Sequence, residues 1–295
     1  MKIIGYHNTE SDNVEDIITN GFKYRKNEKH WLGQGIYFFD NLDMAFRNID
    51  MLDHEKDIKT IVAEINVTDS EFLNLDEVKN LNEFRKFCSQ LYQKMEKEGI
   101  EWLHIDVMDG DFVPSISFGM PVIKSIRKES KLFFDVHLMV TEPERYIRDF
   151  VECGADSITV HAEACEDLER TIEQIREAGV KVGVSIKPAT PVNDISHMLS
   201  DVDMVLIMTV QPGFGGQKYM EECTEKIREV RELIEAEDLD VDVQVDGGIN
   251  DETMETVLTA GANLLVAGSY VFNDDLAKNV KHARERMDEI IRRID

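Results

Sequence analysis

The sequence predicts an α/β protein whose larger part, residues 81–295, is a (β/α)8 barrel of the TIM type, preceded by a small α+β segment over residues 1–80. Three observations carry this. From about residue 100 onward, short apolar runs alternate regularly with amphipathic stretches of helical period. The stretch His104-Ile-Asp-Val-Met-Asp-Gly110 places His104, Asp106 and Met108 on one face of a strand and Ile105 and Val107 on the other, as a barrel strand bearing chemistry at its C-terminal end requires. Residues 1–80 lack this alternation and read as a separate unit.

The first helix of the larger part spans 82–98, where Phe84, Phe87, Cys88, Leu91, Tyr92 and Met95 recur at helical spacing and Gly99 is the stop. Strands are expected at 102–107, 133–139, 157–161, 181–186, 204–208, 242–246 and 264–267. Between and after them, helices are expected at 121–127, 143–153, 168–178, 192–199, 221–237, 251–260 and 276–293. Seven strand–helix units therefore follow the helix at 82–98, and one further strand before it would complete eight. The first strand is thus absent or substituted. Thr60–Val67 could serve, although its linker to Phe84 is longer than βα loops commonly are. Otherwise the barrel stands open between its second and eighth strands, with unpaired edges that invite association.

Composition narrows the function classes. With 33 basic against 59 acidic residues, a net charge of −26, the chain is a poor partner for nucleic acid or an anionic membrane. It shows neither a membrane-spanning apolar run nor a secretory h-region after Met-Lys-Ile-Ile-Gly, so a cytoplasmic protein is expected. Cys88, Cys153, Cys165 and Cys223 form no C-x-x-C pair and are expected to be reduced thiols. An anionic substrate would have to be held by local backbone donors, since the global field repels it.

Active-site groups of such barrels sit at the C-terminal ends of strands. Those ends carry His104, Asp106 and Met108, then His137 and Met139, His161, Lys187, Met208, Asp246 with Gly247-Gly248, and Gly268-Ser269. Two imidazoles and two carboxylates from three strands suit a divalent cation such as zinc, iron, manganese or cobalt. Each motif alone has an ordinary alternative: a strand-end histidine is often a hydrogen-bonded structural residue, a strand-end methionine core filler, and a glycine pair a tight turn. His161 and Lys187 are given no chemical role.

Five segments together are more specific. His104-Ile-Asp-Val-Met-Asp-Gly-Asp-Phe-Val-Pro114, Phe134-Asp-Val-His-Leu-Met139, Val210-Gln-Pro-Gly-Phe-Gly-Gly-Gln217, Val245-Asp-Gly-Gly-Ile249 and Val266-Ala-Gly-Ser269, in this order, resemble ribulose-phosphate 3-epimerase over approximately 82–295. The resemblance implies a ketose-phosphate epimerase holding one divalent metal ion (Zn2+, Fe2+, Mn2+ or Co2+) on His104, Asp106, His137 and Asp246. It also implies that Asp106 and Asp246 are the acid/base pair and that Met108, Met139 and Met208 line the substrate. Substrate and phosphate would be bound by His137, by Gly213, Gly215 and Gly216 of a lid, by Gly247 and Gly248, and by Gly268 and Ser269. The substrate is expected to be a pentulose phosphate, a hexulose phosphate being the related alternative, and the protein a homo-oligomer. The family's opening S-x-L-S-A-D-F strand is absent, and residues 1–80 stand in its place.

Those first residues have a resemblance of their own. Tyr6-His7-Asn8-Thr9 and Trp31-Leu-Gly-Gln-Gly-Ile-Tyr-Phe-Phe39 resemble the front half of the ADP-ribosyltransferase fold, which would make His7 and Tyr37 the remnant of an NAD site. Asn8 departs from that pattern and no strand supplies the third, acidic member. The alternative functions are accordingly an NAD-binding or ADP-ribosylating module with the barrel as passenger, or a fusion in which neither half is active.

Overall fold

The computed structural model of the chain describes residues 2–10, 15, 17–19, 58–66, 78–273 and 275–294. The chain divides into two compact units, Met1–Arg85 and Lys86–Asp295. In the first, strands β1 (Lys2–Glu10) and β2 (Ile58–Asn66) pair antiparallel, with Lys2 opposite Asn66 and Glu10 opposite Ile58. This corrects the expectation that Thr60–Val67 could be the first barrel strand. The segment does form a strand, but its partner is an antiparallel neighbour in a separate two-stranded sheet. His7 lies in β1 opposite Ile61, whereas Tyr37 falls outside the described residues.

The second unit is built on a seven-stranded, wholly parallel sheet in sequential order: β3 (Trp102–Met108), β4 (Phe133–Met139), β5 (Ser157–His161), β6 (Lys181–Ile186), β7 (Met204–Met208), β8 (Asp242–Asp246) and β9 (Leu264–Val266). The helices are α1 (Val78–Lys97), α2 (Met120–Arg127), α3 (Ile147–Glu152), α4 (Leu168–Glu177), α5 (Cys223–Ala236), α6 (Met254–Thr259), α7 (Gly268–Val271) and α8 (Leu276–Ile294). All seven expected barrel strands form. Among the described residues no strand covers the outer edge of β3 or β9, so the sheet has the seven expected strands and no strand in the place of the barrel's first.

The sheet curls although the described residues supply no eighth strand. Gln244 Nε2 of β8 donates to Asp135 Oδ2 of β4 at 2.8 Å, a contact between strands four places apart in the sheet. Strands that are buried on both faces explain the near-continuous apolar runs of the sequence. Outward-facing Val136, Leu138, Ile158, Val160, Val184, Ile186, Val205, Val243 and Val245 join Ile172, Ile175, Ile227 and Val230 of the helices in one core. Inward-facing Asp135, Thr159, Ser185 and Gln244 are buried in a polar interior layer.

Two expected helices have a different form: 143–153 opens with a 3-10 turn, Pro143–Arg145, ahead of α3, and 192–199 is not α-helical at all. Residues 192–199 fall in two 3-10 segments, Val192–Asp194 and Ser196–Asp201, with Ile195 N–H on Val192 O and Met198 N–H on Ile195 O, each at 3.0 Å. The buried residues Val192, Ile195 and Met198 recur every third position, which matches the three residues per turn of a 3-10 helix.

Candidate active site

Strand register sets the site. In the β3–β4 pair His104 lies beside Asp135, Asp106 beside His137 and Met108 beside Met139, while β7–β8 pairing sets Met208 beside Asp246. The curl brings β8 to β3 and β4, so that one ligand atom each from His104, Asp106, His137 and Asp246 lies within 4.8 Å of the others. The four residues grouped by sequence reasoning thus come together.

The hydrogen bonds orient both imidazoles. His104 Nδ1 is 2.7 Å from Asp135 Oδ2, and a carboxylate accepts, so Nδ1 carries the hydrogen. Nε2 is then the free lone pair; it lies 3.2 Å from Asp106 Oδ1 and, though buried, has no hydrogen-bond partner. His137 Nδ1 reaches the same Asp106 Oδ1 at 3.0 Å, while its Nε2 is 3.0 Å from His161 Nε2. Nitrogen lone pairs crowded on one carboxylate oxygen call for positive charge between them. Two neutral imidazoles and two carboxylates would balance a divalent cation, and the donor set is the N/O mixture that zinc, iron, manganese and cobalt accept. The residues present fit the metal that the sequence implied.

Without a cation, protons supply that charge. Burial opposes protonation of His104, but the charges of Asp135 and Asp106 outweigh it and hold its pKa well above the ordinary histidine value. Burial would raise Asp106, yet His104 and His137 keep it far below the usual carboxylate range. Asp246, by contrast, is pushed up to about 6 by burial and by the neighbouring charge of Asp106. Two carboxylates of one site are therefore driven apart, one ionised and one poised to hold a proton near neutrality, the arrangement expected of an acid/base pair.

Above the cluster is a cavity lined by Asp106, Asp246, Met108, Met139 and Met208, with Gly213, Gly215, Gly216, Gly247, Gly248, Gly268 and Ser269 around the rest of its wall. His104 and His137 are not part of that wall. Gly248 is fixed in its role by geometry: φ is +68° and a Cβ there would meet the Tyr219 backbone nitrogen at 2.3 Å. The glycine loop is tied to itself, Gln217 Nε2 donating to the carbonyls of Gln211 (2.6 Å) and Phe214 (2.8 Å).

Three supporting groups went unassigned in the sequence reading. Asp135 backs His104, and its D-x-H spacing to His137 on one strand face is the signal that could have revealed it. Ser117 donates to Asp106 O at 2.7 Å and accepts from Met108 N–H at 2.9 Å, pinning the end of β3. His161 and Glu163 stand behind His137, with His161 Nδ1 3.1 Å from Glu163 Oε2. Burial brings His161 down to about 4 and so keeps it neutral. For Glu163 burial is outweighed by hydrogen bonds from His161, Thr190 and the Lys187 backbone, which bring it to about 2.

The profile of the ribulose-phosphate 3 epimerase family matches residues 82–272. This chain belongs to the ribulose-phosphate 3-epimerase family. It is 50% identical over 192 residues to ribulose-phosphate 3-epimerase of Bacillus subtilis (strain 168), a match covering 64% of this chain and 88% of the relative. It is 46% identical over 181 residues to that of Synechocystis sp., covering 61% and 79%. Among solved structures, 3-hexulose-6-phosphate synthase aligns with a TM-score of 0.51 at 19% identity, over 69% of this chain and 94% of that one. Phosphoribosyl anthranilate isomerase of Thermus thermophilus aligns at 0.51 and 16%, over 68% and 94%. These two share the barrel fold. None of these relatives supports the ADP-ribosyltransferase-like reading of residues 1–80.

Proposed function

We propose that residues 81–295 interconvert D-ribulose 5-phosphate and D-xylulose 5-phosphate, Asp106 and Asp246 acting as the two acid/base groups on opposite sides of the reacting carbon. The observation that carries this reading is the convergence of two oppositely perturbed carboxylates and two histidines at one end of a barrel whose sequence belongs to the epimerase family. His104, Asp106, His137 and Asp246 would hold one divalent cation, which when bound supplies Lewis-acid stabilisation of the oxyanion that develops at C2.

The chain's own groups account for the rest. One carboxylate removes the C3 proton, which the neighbouring carbonyl acidifies by turning the carbanion into an enediolate. The other returns a proton to the opposite face, inverting C3. Met108, Met139 and Met208 give the planar intermediate an apolar, polarisable wall that brings no competing proton. The phosphate is assigned to the Gly247-Gly248 and Gly268-Ser269 turns, where backbone N–H groups bind an anion without a cationic side chain. The loop of Gly213, Gly215 and Gly216 closes over the substrate, and the active form is a homo-oligomer, to be read by sedimentation.

The direct test is incubation of the full chain with D-ribulose 5-phosphate and Mn2+ or Zn2+. Formation of D-xylulose 5-phosphate is expected. A folded, metal-loaded protein that leaves the substrate unchanged would refute the assignment.

A further inference from the structure

His137 is a conditional ligand: an imidazole can coordinate only through the nitrogen that carries no hydrogen. Its Nδ1, at 3.0 Å from Asp106 Oδ1, would by itself favour a hydrogen donated to that carboxylate, which would close the coordinating position. Something must hold the hydrogen on the other nitrogen. The side chain behind it does so. Glu163 Oε2 can only accept from His161 Nδ1, so neutral His161 presents a bare Nε2, and that atom, 3.0 Å away, takes the hydrogen of His137 Nε2. Reversing His137 would set His161 Nδ1 and the Glu163 carboxylate against each other as two acceptors.

Glu163 is itself firmly placed. Its other oxygen accepts Lys187 N–H at 2.7 Å and the Thr190 hydroxyl, and Lys226 Nζ binds the carbonyls of Lys187 and Thr190 from below. The Phe112 ring lies 4.9 Å from that of His161, which is wholly buried, so water does not compete for its nitrogens.

We infer that Glu163 and His161 are positioning residues which, through a relay of hydrogen bonds, fix the His137 tautomer so that Nδ1 is open toward the cation site. This rests on the metal-site reading above. The same task is done for His104 directly by Asp135, so the two ligand histidines are oriented by different devices.

The test uses the full chain with 15N-labelled histidine, metal-free, with long-range 1H–15N spectra to read each tautomer, followed by Co2+ titration monitored by visible absorption. Glu163→Gln is nearly isosteric. Its amide oxygen keeps the Lys187 and Thr190 bonds, which turns the NH2 toward His161 Nδ1 and reverses the relay without changing the proton count. The expected result is His137 carrying hydrogen on Nε2 in the parent and on Nδ1 in Glu163→Gln, with a Co2+ dissociation constant raised about 10–100-fold in the variant. Thr190→Val removes a bond that only braces Glu163, and should lower Tm while leaving tautomer and affinity unchanged. Glu163→Gln with the parent's tautomer, or with the parent's Co2+ affinity, would overturn the inference. If the parent takes up no Co2+, the metal-site reading fails, while the spectra still decide the relay.

Discussion

Asp246 holds a proton below about pH 6 because burial and the Asp106 charge both disfavour its ionised form, and a protonated carboxyl cannot ligate. Cation uptake must therefore displace that proton, and a second one from His104, whose raised pKa extends the competition above the ordinary histidine range. Apparent Co2+ affinity should fall about a hundredfold for each unit of pH well below 6, where both protons must be displaced, and about tenfold per unit above 6, where only His104 still holds one; a pH-independent affinity would contradict the assignment. Gly248→Ala puts a Cβ against the Tyr219 backbone at a left-handed φ, so a loss of roughly 1–3 kcal/mol in denaturant unfolding is expected, with weakened phosphate binding. At this scale the sequence was most readable where a residue's chemistry and its strand position agreed, as for His104, Asp106, His137 and Asp246. It was least readable for Asp135 and Glu163. Their roles come from the register that sets His104 beside Asp135 and from the turn that carries Glu163 back to His161.

Elements were legible wherever hydrophobic period and breakers coincided, which holds for the seven barrel strands. The 3-10 segments of residues 192–201 escaped because Val192, Ile195 and Leu199 fall at the i, i+3, i+7 spacing of an α-helix as readily as Val192, Ile195 and Met198 fall at a threefold one. The partner of Ile58–Asn66 escaped because a strand's sequence does not name its neighbour. Arg127, at the end of α2, donates to Asp156 Oδ2, Ser130 O and Leu132 O and lies 3.8 Å over the Phe134 ring, tying the starts of β4 and β5 together. Arg127→Ala should destabilise by about 2–3 kcal/mol in chemical denaturation. The amides of β3 and β9, whose outer edges no strand of the described residues covers, should exchange with solvent faster than those of β5 and β6, which are paired on both sides.

For the whole molecule, net charge and substrate charge have the same sign. The chain carries −26, so a sugar phosphate meets long-range repulsion, which on the proposed reading the local backbone donors and the bound cation would offset. Raising ionic strength should accordingly increase kcat/KM, and a decrease would point to cationic side chains at the binding site. No helix of the described residues is long and apolar enough to cross a membrane. The barrel and its four-residue cluster are legible in the sequence because strand order, motif order and ligand chemistry agree. The closing of the sheet is not, since seven strands curling so that Gln244 meets Asp135 is a property of their packing. The central claim is that Asp106 and Asp246 exchange protons on opposite faces of C3. It is tested most directly by NMR of D-ribulose 5-phosphate turned over in D2O with Mn2+ by the parent and by Asp106→Asn and Asp246→Asn. The account predicts D-xylulose 5-phosphate deuterated at C3 from the parent and rates lowered about 10²–10⁴-fold in both variants; near-parental epimerisation by either variant would contradict it.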